Sequence, residues 1–222
     1  MVKRSVLELL LLLSGMACAA WSDIHSQHFR YWNASDGLAE SWSYWINKSP
    51  LGHILIGHGE VGEFSWLDGY FVHVLPSPGA YNEVQESPSG QFWALSGKGL
   101  QTLIGKQWIE FPVAEIAGAD GDVHMLPGVD DQVLFLLPDR LMAFHADRQE
   151  TIEIKRADAS RIGRFISLHR TGSQSIWITG QHGIARVREP DIPLDATVPW
   201  EELPCPGSAG LQDFVYVAEA PG

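Results

Sequence analysis

Ser175-Ile176-Trp177-Ile178-Thr179-Gly180-Gln181-His182-Gly183-Ile184 reads as an apolar strand carrying a tryptophan, a short polar turn and a glycine that starts another strand. Gly90-Gln91-Phe92-Trp93-Ala94-Leu95-Ser96-Gly97-Lys98-Gly99-Leu100 has the same form, with Gly99 and Gly183 each six residues after the tryptophan. Between them, Val133-Leu134-Phe135-Leu136-Leu137-Pro138-Asp139 keeps the apolar run without the glycines and places Phe135 42 residues from both Trp93 and Trp177. An earlier copy, Gly52-His53-Ile54-Leu55-Ile56-Gly57-His58-Gly59, puts Leu55 38 residues before Trp93. A period of about 40 residues marks one supersecondary unit used repeatedly.

Each unit reads as an apolar run, a Gly or Asp turn, the aromatic strand, a second Gly turn and a strand ending near an aromatic. Four short strands at this period are the pattern of propeller blades, which bury their faces only against neighbouring blades. A β-solenoid has shorter rungs, and stacked helical repeats need a sustained 3.6-residue period that no stretch shows. Gly210-Leu211-Gln212-Asp213-Phe214-Val215-Tyr216-Val217 repeats the form of Gly37-Leu38-Ala39-Glu40-Ser41-Trp42-Ser43-Tyr44-Trp45-Ile46, so both open a unit. The expected fold is therefore all-β: an incomplete β-propeller of four-stranded blades, about four of them plus the start of a fifth, cut from a longer polypeptide.

The remaining composition agrees with an exported globular domain. Residues 1–19 have Lys3 and Arg4, an apolar run from Leu9 to Leu13 and small residues at Ala17-Cys18-Ala19-Ala20, the layout of a signal peptide cleaved after Ala19. Residues 20–222 then form the partial propeller. The whole chain carries a formal charge of −12, and removal of Lys3, Arg4 and Glu8 leaves 13 basic against 26 acidic residues. Basic residues are scattered singly, so nucleic acid is not an expected partner. Only Cys205 remains after the leader, which excludes an intrachain disulfide in the segment and a cysteine-based metal site.

The order Phe29, Asp36-Gly37-Leu38, an apolar run to Ile46, Gly52, the strand Ile54 to Ile56, a Gly turn and Asp68-Gly69 resembles the two-component regulator propeller repeat. Ser175 to Val187 is the best single match; the third unit matches poorly, and the Asp68-Gly69 ending is absent from the others. The resemblance implies a periplasmic sensor of one or two propellers, then a β-sandwich, a membrane helix and a cytoplasmic output module. That output is a histidine kinase, a diguanylate cyclase or a helix-turn-helix regulator. It also implies signal transduction in response to a small-molecule ligand, often carbohydrate-derived, with inner-membrane anchoring only through sequence beyond Gly222 and a homodimer as a possible full-length state. The 222 residues contain no phospho-acceptor His motif and no nucleotide-binding Gly box, so no catalytic residue and no cofactor is expected within them.

Each candidate site competes with a plain structural role. His53 with His58, and His25 with His28, lack a third ligand at metal-site spacing, and Asp120-Gly121-Asp122 with Asp130-Asp131 lacks the ordered spacing of a calcium loop, so no metal is expected. The aromatic run Trp42, Tyr44 and Trp45 is the candidate ligand surface, since flat rings suit sugars; Trp42 and Tyr44 should point one way and Trp45 the other. Packing of these rings between blades is the competing role. A Gly-x-Ser-x-Gly elbow is absent, which removes a serine hydrolase. An exported propeller enzyme, such as a glycosidase or lyase, and a protein-docking propeller are the alternatives to the sensor.

Overall fold

The computed structural model describes residues 31–60, 62–79, 82–129, 131–171, 175–188 and 194–205. The leader assigned to 1–19 and the unit opening at 210–217 lie outside the described residues. Backbone contacts gather residues 33–222 into one unit.

Among the described residues of that unit sixteen strands make four antiparallel sheets, each of four strands in simple meander order. Blade 1 holds β1 (Trp45–Lys48), β2 (Ile54–Gly57), β3 (Glu63–Leu67) and β4 (Val72–Pro76). Blade 2 holds β5 (Val84–Glu86), β6 (Phe92–Ser96), β7 (Gly99–Ile104) and β8 (Gln107–Pro112). Blade 3 holds β9 (His124–Pro127), β10 (Gln132–Leu136), β11 (Arg140–His145) and β12 (Glu150–Arg156). Blade 4 holds β13 (Phe165–Arg170), β14 (Ile176–Gly180), β15 (Gly183–Val187) and β16 (Glu201–Pro204). A single turn of helix at Ala114–Ala117 joins blades 2 and 3. The described residues thus form four blades of a β-propeller, the all-β fold expected from the repeat. The first strands lie innermost: β5 touches β9, and β9 touches β13.

The hairpins after the innermost strands show which residues are equivalent. The N–H groups of Ser49, Ser87, Gly128 and Thr171 donate to the carbonyls of His53, Gln91, Gln132 and Ser175, four residues on in each blade. Two residues beyond each acceptor stand Leu55, Trp93, Leu134 and Trp177. Leu134, rather than Phe135, is thus the counterpart of Trp93 and Trp177, which corrects the register read from the 42-residue spacing. Every residue of β10 is buried, so neither face meets solvent, and along its apolar run from Val133 to Leu136 a one-residue slip leaves no trace in the hydrophobic pattern.

The slip matters because adjacent residues face opposite neighbours. Trp93 and Phe135 lie in one core between blades 2 and 3, with Leu100, Val133 and Phe144. Leu134 lies in the next core, between blades 3 and 4, with Ile176, Ile178 and Ala185. Leu55, Phe64, Val84 and Ala94 form the equivalent layer between blades 1 and 2. Phe135 therefore packs back towards Trp93 instead of repeating it.

The paired glycines have a packing cause. A Cβ on Gly99 would run into the Phe111 carbonyl, and one on Gly183 would come within 2.8 Å of the Pro204 Cα, because the fourth strand of the blade crosses there. Gly99 pairs with Pro112 and Gly183 with Pro204. Blade 3 has Arg140 opposite Arg156 at this point, followed by a register shift between Leu141 and Met142, so the close crossing and its glycine are both lost.

Candidate functional site

A cavity of about 710 Å³ opens where the ends of the innermost strands converge. All four blades line it: Lys48 and Gly52 from blade 1, Glu83, Gln85 and Glu86 from blade 2, Pro127 from blade 3, and His169 and Arg170 from blade 4. The final residues of β1, β5, β9 and β13 are Lys48, Glu86, Pro127 and Arg170, each directly before the hairpin donor. They occupy one equivalent position per blade, and all four line the cavity.

The acid at this position has a partner close by. Glu86 is buried, and its Oε1 and Oε2 lie 3.1 and 2.8 Å from His53 Nδ1, a pair that also joins blade 1 to blade 2. The His53 ring stands edge-on to Trp66 at 4.9 Å, and Trp66 stacks in turn against His73 at 4.6 Å. Glu83 Oε1 accepts hydrogen bonds from the side-chain amides of Asn47 at 3.1 Å and Gln85 at 3.3 Å. Both carboxylates that line the cavity are therefore engaged by neighbouring side chains.

Blade 4 has the opposite character. Among the described residues neither Arg170 nor Lys48 is in an ion pair. Burial without a compensating carboxylate pulls the Arg170 guanidinium down to about 10. Beside it, His169 Nε2 lies 2.8 Å from the Ser167 hydroxyl, which lies 2.6 Å from Thr179 Oγ1. His124, on β9, is also shifted down, first by burial and then by the nearby His169.

The aromatic trio lies at the other end of β1. Trp42 and Tyr44 are exposed and touch edge to face at 6.5 Å, whereas Trp45 turns the other way, its ring covering Gly57 and packing on the blade 1–2 core. The alternation is the one expected, and none of the three lines the axial cavity. The Trp42 segment is held in place by His58, whose Nδ1–H donates to the Trp42 carbonyl at 3.0 Å while Nε2 accepts from the Ser65 hydroxyl at 2.9 Å. The Trp42 ring covers Gly59. Among the described residues no group of three or more His, Cys, Asp or Glu could hold a metal ion, and no helix is long and apolar enough to cross a membrane.

Lys48, Glu86 and Arg170 had no local motif to reveal them. Their shared signal is positional: each directly precedes the residue that starts the turn before the repeated apolar strand.

Fold and cavity together define, among the described residues, four blades of a β-propeller with an axial cavity lined by charged and polar side chains. No family model and no curated protein matches the sequence. Solved structures similar to it include a catalytically inactive virginiamycin B lyase from Staphylococcus aureus, bound to quinupristin, at 16% identity and a TM-score of 0.49, covering 78% of this chain and 58% of that one. An extracellular domain of a hybrid two-component system from B. thetaiotaomicron is similar at 11% identity and a TM-score of 0.49, over 79% of this chain and 24% of that one. A bacterial surface component of the type-IX secretion system of Porphyromonas gingivalis is similar at 12% identity and a TM-score of 0.38, over 78% and 28%. The chain spans 55 to 58% of the length of the lyases it resembles.

Proposed function

We propose that this chain is the ligand-binding propeller of an exported sensor, taking a small molecule in its axial cavity and passing the event to an output module encoded in the same polypeptide. The observation that carries the reading is the cavity itself. Its 710 Å³ falls within the roughly 300–1,000 Å³ of small-molecule sites, and four blades contribute to its wall, so occupancy is felt by all of them at once. The leader at 1–19 and the order of turn residues that resembles the two-component regulator repeat support export and sensing.

The carboxylates that line the cavity already have partners, Glu86 in His53 and Glu83 in two amides, and the recovery of bound compound separates binding from turnover. The test is a thermal-shift screen of soluble oligosaccharides and small organic metabolites against the chain and a Gln85→Trp variant that narrows the cavity. A compound that raises the Tm of the native chain, leaves the variant unmoved and is recovered unchanged supports a sensor. Conversion of that compound to product makes the chain an enzyme, and equal stabilisation of the variant places the binding elsewhere.

A further inference from the structure

We propose that the axial cavity is an anion site, in which Arg170 and Lys48 receive the acidic group of the ligand. The inference deepens the axial-ligand reading and rests on it. The set of equivalent strand-end positions holds two cations, one proline and one acid. That acid, Glu86, is engaged by His53 from outside the set, and the other acid of the wall, Glu83, is held by Asn47 and Gln85. The two cations have no such partner among the described residues. Glu83 and Glu86 keep their formal charge, so the wall is not cationic overall; what it offers an entering ligand is two cations without a carboxylate partner among the described residues, in a chain that carries −12 as a whole.

Arg170 is the stronger element of the pair. It is half-buried at the blade 4 end of the cavity, and burial of a guanidinium without a carboxylate is unfavourable unless something else supplies the negative charge. A planar guanidinium matches a carboxylate or phosphate with two parallel hydrogen bonds, whereas the more exposed Lys48 adds a mobile point charge. Asn47, Gln85 and Thr171 on the same wall suit the hydroxyl groups of a compact polar body. The chemistry described is that of a small acidic ligand such as a sugar acid or a sugar phosphate.

Sodium D-galacturonate, glucose 6-phosphate and neutral D-galactose are the probes, each titrated to millimolar concentration against the native chain, R170Q, R170K and K48Q. The readouts are the Arg170 Nε–H NMR resonance and the Tm, with circular dichroism confirming that each variant is folded. Saturable movement of that resonance in the native chain by either acidic probe, with an affinity from the Tm shift that falls about tenfold or more in R170Q and less in R170K and K48Q, supports the anion site. Galacturonate as the active probe marks a carboxylate ligand, and glucose 6-phosphate marks a phosphate. Acidic probes that leave the resonance unmoved, or that act equally on R170Q, overturn the proposal. If galactose binds in the cavity independently of Arg170, the anion site is refuted while the axial-ligand reading stands.

Discussion

Replacing Phe135 with leucine tests the corrected register of the third blade. Phe135 is fully buried in the core shared with Trp93, and truncation there should cost about 1–2 kcal/mol, part lost transfer energy and part residual cavity. Trp93→Phe trims the facing side of the same core by a comparable amount, and Ile178→Val trims the blade 3–4 core by about 0.5–1.5 kcal/mol. Against a domain stability of about 5–15 kcal/mol each variant remains folded. Urea unfolding followed by far-ultraviolet circular dichroism, at constant m-value, provides the two double-mutant cycles. F135L with W93F should couple by about 0.5 kcal/mol or more, while F135L with I178V should add to within about 0.5 kcal/mol. Coupling to I178V with additivity towards W93F would mean that Phe135 faces the following blade, and the register argument would be refuted.

Gly183→Ala should lower stability by about 2 kcal/mol or more, read from the urea midpoint, because its Cβ meets the backbone of β16 rather than a side chain that can move. Burial alone would raise the Glu202 carboxyl, but hydrogen bonds from Lys155, Ser160 and the Arg161 amide hold it at about 2 against its ordinary 4.5. Its contribution is therefore present above pH 4.5 and lost as pH falls towards 2; E202Q should lose about 2 kcal/mol at neutral pH and flatten the unfolding profile over that window. An unchanged profile would remove Glu202 from the acid response. His53→Ala leaves the Glu86 carboxylate buried without its partner and should cost about 2–4 kcal/mol, part of it recovered in H53A/E86L. No recovery in the double variant would show that the histidine acts through packing on Trp66 alone.

The four blades were legible because turn glycines and apolar strands recur at a fixed period, and two of those glycines, Gly99 and Gly183, are dictated by a close backbone crossing that blades 2 and 4 share. The phase of the third blade was not legible. With Gln132 to Leu136 buried throughout, hydrophobicity gives no inside or outside, and only the hydrogen bond from Gly128 to Gln132 sets the register. The placement of Trp42, Tyr44 and Trp45 on opposite faces followed from strand alternation. Their location away from the cavity did not, because which end of β1 opens into the wide part of the axis depends on how four blades splay. Lys48, Glu86 and Arg170 converge from sites up to 122 residues apart in the chain, and no local pattern records a meeting made by the fold.

Hydroxyl-radical footprinting of the chain with a stabilising compound from the ligand screen tests the axial site most directly. The account predicts protection at residues 46–52, 83–86 and 168–171, with Trp42 and Tyr44 oxidised as in the unliganded chain. Protection centred on Trp42 and Tyr44, with the strand-end positions unchanged, would contradict it and place recognition on the exposed aromatic surface.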